Sequence, residues 1–217
     1  MQALTEKIFR LAPPGALFDD GVVRNLFPDA TDGARRALVH RAVQHREVLR
    51  LKPGLYCLAS DYRKSHPHPF VVASALHSPS HISLESALSH HQLIPEGVYQ
   101  VSSVTVQRSR SYKTPLGMFT FYRVPSDRPR AGVRAEKLGK DTWAFVASPL
   151  RAIADLIYLR KDLSWSRDGV GFLIDSMRID EDDVLGLPTD DFGEIHDSIQ
   201  NRRTQRFLAG LHKEIGQ

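Results

Sequence analysis

Arg36, His40, Arg41 and Gln44 fall on the side of a helix opposite Leu38, Val39, Ala42 and Val43. Arg50 and Lys52 follow on an alternating stretch, and from Arg35 to Lys52 six basic residues meet a single acid, Glu47. Cations clustered in this way suit a polyanion. Lys and Arg displace condensed cations from DNA phosphates, and a guanidinium offers paired donors that fit the guanine edge in a major groove. The candidate DNA-binding residues are therefore Arg35, Arg36, His40, Arg41, Gln44, Arg50 and Lys52. Arg36 or Arg41 would read a base, with His40 and Gln44 as secondary readers. Arg35 borders the apolar stripe, so its stem packs and its head reaches toward the phosphate backbone.

Other chemistries find less support. A restriction-type nuclease needs a carboxylate two residues before a lysine, and no Asp or Glu here is so placed. There is no Gly-x-Ser-x-Gly, no Gly-rich phosphate loop and no His-Glu-x-x-His. Asp180 to Asp183 read as a solvated acidic face, because consecutive carboxylates on a helix diverge. His66 and His68 alternate with prolines and lack further ligands, and of His90 and His91 one should point inward and one outward. The one cysteine, Cys57, sits in the apolar context LYCLA and reads as a buried thiol. Asp155 lies in an apolar helix four residues after Arg151, which suits a structural ion pair. No catalytic residue, metal or cofactor is expected.

The elements that would position the basic set are legible in order. Residues 3–11 place Leu4, Ile8 and Leu11 on one helical stripe that ends at Pro13-Pro14-Gly15. Asp19 or Asp20 can cap a second short helix that stops before Pro28, and Asp29, Thr31 or Asp32 a third. Val48, Arg50 and Lys52 alternate with Leu49, Leu51 and Leu55 about a Pro53-Gly54 turn, predicting a strand pair. Three helices and a hairpin are the order of a winged helix-turn-helix, in which the third helix enters the major groove and the wing flanks it on phosphates.

Beyond a Pro- and His-containing linker, the sequence predicts an α+β domain. Ser83 is placed to cap a helix over 84–91. Residues 98–110 and 117–125 alternate like strands that pair as a hairpin or meander, and TWAFVA is another strand. Ser148 and Pro149 open a helix whose inward stripe is Leu150, Ile153, Ala154 and Ile157. Helices near 179–185 and over 192–212 close the chain. The expected fold class is thus α+β: an N-terminal winged helix-turn-helix (1–60), a linker (61–70) and a mixed α/β domain with C-terminal helices (71–217).

Hydrophobic content of 41% and charged content of 25% over 217 residues are those of a globular protein. No apolar run reaches the roughly 18 residues of a membrane span, and the first 16 residues lack the apolar core of a signal peptide, so a cytoplasmic location is expected. The net charge of +4 divides into 9 basic and 6 acidic residues over 1–60, 15 and 10 over 61–175, and 5 and 9 over 176–217.

HISLESALSHHQLI, VTVQRSRSYKTPLGMFTFYRV and ASPLRAIADLIYL, in that order after the wing KPGLYCL, resemble the AbiEi family of antitoxins and transcriptional regulators over most of the chain. Two departures are Arg151-Ala152-Ile153, where the family has Lys-Ala-Leu, and Pro53, where a basic residue often stands. The resemblance implies a winged helix that binds double-stranded DNA at inverted repeats in its own promoter and represses its operon. It also implies a second domain that counters a nucleotidyltransferase-type toxin, with which it need not form a stable complex. The alternatives are a metal-dependent nuclease and a pure protein-interaction module.

Overall fold

Leu4 and Ile8, one turn apart, are fully buried on α1 (Ala3–Leu11). Leu11, expected on the same stripe, is 51% exposed because the last turn projects beyond the small core, and left-handed Ala12 then ends the helix. The computed structural model, which describes residues 1–95, 99–139 and 141–216, is mixed α+β with N-terminal helices and two sheets.

β1 (Leu17–Asp19), α2 (Asp20–Leu26), α3 (Asp32–Gln44), β2 (Val48–Lys52) and β3 (Leu55–Leu58) follow α1. The caps are local and explicit: Val22 N–H donates to Asp19 Oδ1 at 2.9 Å and Ala34 N–H to Thr31 Oγ1 at 3.2 Å. Gly54, at φ 78°, makes the β2–β3 turn after Pro53. The three strands form an antiparallel sheet in the order β1-β3-β2. Every residue of β3 is buried. Tyr56 and Leu58 join Val48, Phe18, Val39 and Ala42 in the small core, while Leu55 and Cys57 join Leu51 in the large one.

Residues 61–70 comprise the end of a 3-10 turn (Ser60–Tyr62), an irregular stretch and the start of α4 (Pro69–Leu76), where His68 accepts from Phe70 N–H. Next come β4 (His81–Ile82), α5 (Leu84–His90), β5 (Gln100–Thr105), β6 (Arg110–Thr114), β7 (Gly117–Arg123), β8 (Val133–Gly139) and β9 (Thr142–Ala147). The sheet order is β6-β7-β5-β4-β9-β8. β5 and β7 are not a hairpin: they run parallel, because the chain leaves β5 for the sheet edge as β6 and returns as β7 between them. The edge strand β8 was not anticipated from the sequence.

α6 (Pro149–Leu159) begins with Ser148 accepting from Arg151 N–H. α7 (Trp165–Asp168), a π-helical turn (Phe172–Ser176), α8 (Glu181–Leu185), α9 (Phe192–Ser198) and α10 (Arg202–Ile215) complete the chain. The helix expected over 192–212 is two, since Ile199 is extended and Asn201 restarts the chain by accepting from Thr204 N–H. Among the described residues no helix is long and apolar enough to cross a membrane.

One buried polar network fastens α6 to β4 and to the start of β8. Arg151 Nε donates to Asp155 Oδ1 at 3.0 Å, and Arg151 Nη1 to the Ala131 carbonyl at 2.8 Å. Ser83 Oγ and His81 Nε2 both donate to Asp155 Oδ2. Ser83 thus stands at the N-cap position of α5 but spends its hydroxyl on Asp155. Gly132 is required beside this network: its φ is +65°, and a Cβ would lie 2.9 Å from that of Arg151 and 2.6 Å from Ile195. Burial alone would raise the Asp155 carboxyl, but Arg151, His81 and Ser83 outweigh it and hold it below the usual carboxylate range. Burial pushes the His81 imidazole down despite Asp155 beside it, so the ring is neutral.

Removing Asp155 strands a buried guanidinium, so Asp155→Ala should lose about 3–5 kcal/mol in urea unfolding, while the double change Arg151→Met/Asp155→Leu should lose far less. Both His81 and Asp155 titrate lower folded than unfolded. The unfolded chain therefore takes up more protons on acidification, and stability falls below the ordinary imidazole value of 6.5 and again below the carboxylate value of 3.8. The urea midpoint should drop between about pH 7.5 and about pH 5, and His81→Gln should flatten that drop without abolishing it. His68 and His77, also lowered by burial, act in the same direction.

Candidate nucleic-acid interface

α2, α3 and the β2–β3 turn enclose an open groove of about 510 Å³. Val23, Val39, Val43 and Tyr56 line it, and Arg24, Arg35, Arg36, His40 and Arg50 converge on it beside Asp20 and Asp32. Arg36 and His40 stand one turn apart on α3, both exposed, and Arg50 faces them from β2. Arg24, Arg36 and Arg50 make no ion pair among the described residues. Their guanidinium groups are available to an anion.

Four of the seven residues marked in the sequence therefore meet in one place, and the other three do not. Arg41 and Gln44 are exposed on α3 but outside the groove. Five residues at about 100° each carry Arg41 roughly 140° around the helix from Arg36. Lys52 is turned away altogether: Nζ donates to the Leu76 carbonyl at the end of α4 at 2.7 Å. The cause is a register shift between Arg50, opposite Tyr56, and Lys52, opposite Leu55. The irregularity at Leu51 moves Lys52 from the side of Tyr56 to the side of Leu55, toward the large core.

Arg35 lines the groove but does not extend to solvent. Nη1 donates to the Phe27 carbonyl at 3.1 Å and Nη2 lies 3.5 Å from Asp32, so the side chain ties the α2–α3 connection and is only 16% exposed. Glu47, the lone acid of the basic run, is buried and accepts from Gln2 N–H at 2.7 Å, away from the groove. Arg24 was missed because it stands outside the run; its only signal is its place in the last turn of α2. At the hairpin end, burial raises the Tyr56 phenol, and the nearby Asp20 carboxylate raises it further against the pull of Arg50.

The remaining polar candidates have structural partners. Burial pushes the Cys57 thiol up although Arg63 donates to it, which favours the protonated thiol. His66 is held by Arg63 at 2.8 Å. His90 meets Glu136, and His91 donates to the Ala147 carbonyl, so neither is simply solvated. Asp180 caps α8 through Asp182 N–H, leaving Glu181, Asp182 and Asp183 exposed. Among the described residues no group of three or more His, Cys, Asp or Glu is arranged to hold a metal ion. No family model matches the chain, and no curated protein matches it in sequence.

Proposed function

We propose that this chain is a DNA-binding antitoxin that represses its own operon at inverted repeats and counters a nucleotidyltransferase-type toxin without needing a stable complex. The observation that carries the DNA-binding part is the groove in which unpaired Arg24, Arg36 and Arg50 converge. The order α1-β1-α2-α3-β2-β3 with the sheet β1-β3-β2 supports reading this region as a winged helix. In that reading α3 enters the major groove with Arg36 and His40 toward base edges, while Arg24 and Arg50 take phosphates on either side. The antitoxin part rests on the sequence resemblance, which spans both the wing and the second unit.

The test uses the full chain and its own promoter. The double variant Arg36→Ala/Arg50→Ala should lose promoter retention in a gel shift, with a melting temperature nearly that of the parent, since both side chains are exposed and unpaired. Replacing Arg36 alone should cost about 1–3 kcal/mol and relax discrimination among operator variants. In cells the double variant should release the promoter yet still rescue growth from the toxin. Retained operator binding would refute the assignment of α3 as the reading helix, and loss of rescue would refute the separation of the two activities.

A further inference from the structure

One face of β8 and β9 carries aromatic side chains where a strand that meets water ordinarily carries polar ones. In β9, Ala144 and Val146 are buried, while Trp143 and Phe145 alternate with them and are 56% and 40% exposed. The edge strand β8 does little to cover these rings. Lys137 stands opposite Trp143 and Ala135 opposite Phe145, so both share the aromatic face, and Ala135 is too short to shield a ring. A cation lies against each ring: the Arg130 guanidinium is 3.5 Å from the centre of Phe145, and Lys137 Nζ is 5.9 Å from that of Trp143. Arg130 and Lys137 are exposed and form no ion pair among the described residues. The nearby acids are engaged elsewhere. Glu136 is opposite Ala144, on the other face, and meets His90. Asp127 is bound by Gln200, and Asp141 borders a cleft with Thr142, which alternates with Trp143.

We infer that this face binds single-stranded RNA, with one base stacked on the Trp143 indole, a second on the guanidinium plane that Arg130 lays over Phe145, and an adjoining phosphate met by Lys137. Proteins that hold single strands combine aromatic stacking platforms with cations that track the backbone, and both parts are present here on one surface. Residues two apart on a strand are separated by about 7 Å, which leaves each platform room for its own base. A duplex does not suit the face, because its bases are stacked on one another. RNA loops and ends present unstacked bases, and aromatic rings and Arg planes are the groups that take them. A cation over a ring also masks apolar area, but masking does not call for two aromatic rings on a solvent face in the first place. The inference is independent of the DNA-binding reading and uses no residue of the α3 groove.

The experiment follows the anisotropy of a labelled, unstructured RNA oligonucleotide titrated with the full chain across a potassium chloride series. Trp143→Ala should weaken binding about 5- to 150-fold, the range for one lost stack, and Trp143→Phe, which keeps a ring, should retain most of the affinity. Arg130→Lys should weaken binding at an unchanged salt slope, because the charge stays and the plane is lost. Lys137→Gln should lower the slope of log Kd against log salt by about 0.7, the value per phosphate contact on a single strand. All three side chains are exposed, so the variants should melt with the parent. Excess unlabelled promoter duplex should leave the RNA bound. A parent chain that does not bind the RNA, or Trp143→Ala with parent affinity, would overturn the inference. Displacement by the duplex would also overturn it, by moving the RNA to the α3 groove. Tighter binding of the same sequence as single-stranded DNA would overturn the choice of RNA.

Discussion

The constraint on which the rest of the molecule depends is the burial of β3 on both faces. A two-stranded hairpin is marginal by itself in water and needs an apolar face packed against something. Here Tyr56 and Leu58 close the small core under α1, α2 and α3, while Leu55 and Cys57 belong to the core of the large sheet. Lys52 bonded to the end of α4 adds a polar fastening at the same seam. The hairpin that walls the basic groove is therefore also a wall of the second unit. On the groove side its turn lies close to the Asp20 carboxylate.

That shared wall sorts the charge. The basic run from Arg35 to Lys52 looks uniform in sequence, but the fold assigns its members to three environments. Arg36 and Arg50 reach the open groove, Arg35 is drawn into the α2–α3 connection, and Lys52 passes to the other side of the sheet. Glu47, the only acid among them, is removed to the N-terminal end of α1. What remains at the groove is positive charge with its donors unpaired, supplemented by Arg24 from an element outside the run.

The local part of this was legible in sequence. Asp19 and Thr31 cap their helices through contacts three residues away, and a Pro-Gly pair makes the hairpin turn, so these elements are written in adjacent residues. What was not legible is set by neighbours distant in the chain. β1 is three residues long and is a strand only because it pairs with β3. Alternation marks β5 and β7 as strands but does not say that β6 lies outside both. Strict alternation placed Lys52 beside Arg50, and one irregular residue reversed it. Of the candidate residues, Arg35, Arg36, His40 and Arg50 were recoverable from charge and helical spacing, whereas the inclusion of Arg24 needed the packing of α2 against the hairpin.

The acids left in the groove matter for the proposed function. Asp32 is spent on Arg35, but Asp20 stands beside the hairpin turn, with Gly54 so close that a Cβ there would be 3.2 Å from its carboxylate. An unrelieved cluster of guanidinium groups would hold any duplex, because phosphate attraction is independent of sequence. In the proposed reading, a carboxylate in the same groove as Arg50 would lower that general attraction while leaving the donors that Arg36 would present to a base edge. Discrimination depends on the difference between operator and other DNA, so a groove that mixes signs can be weaker on bulk DNA and more selective than one that does not.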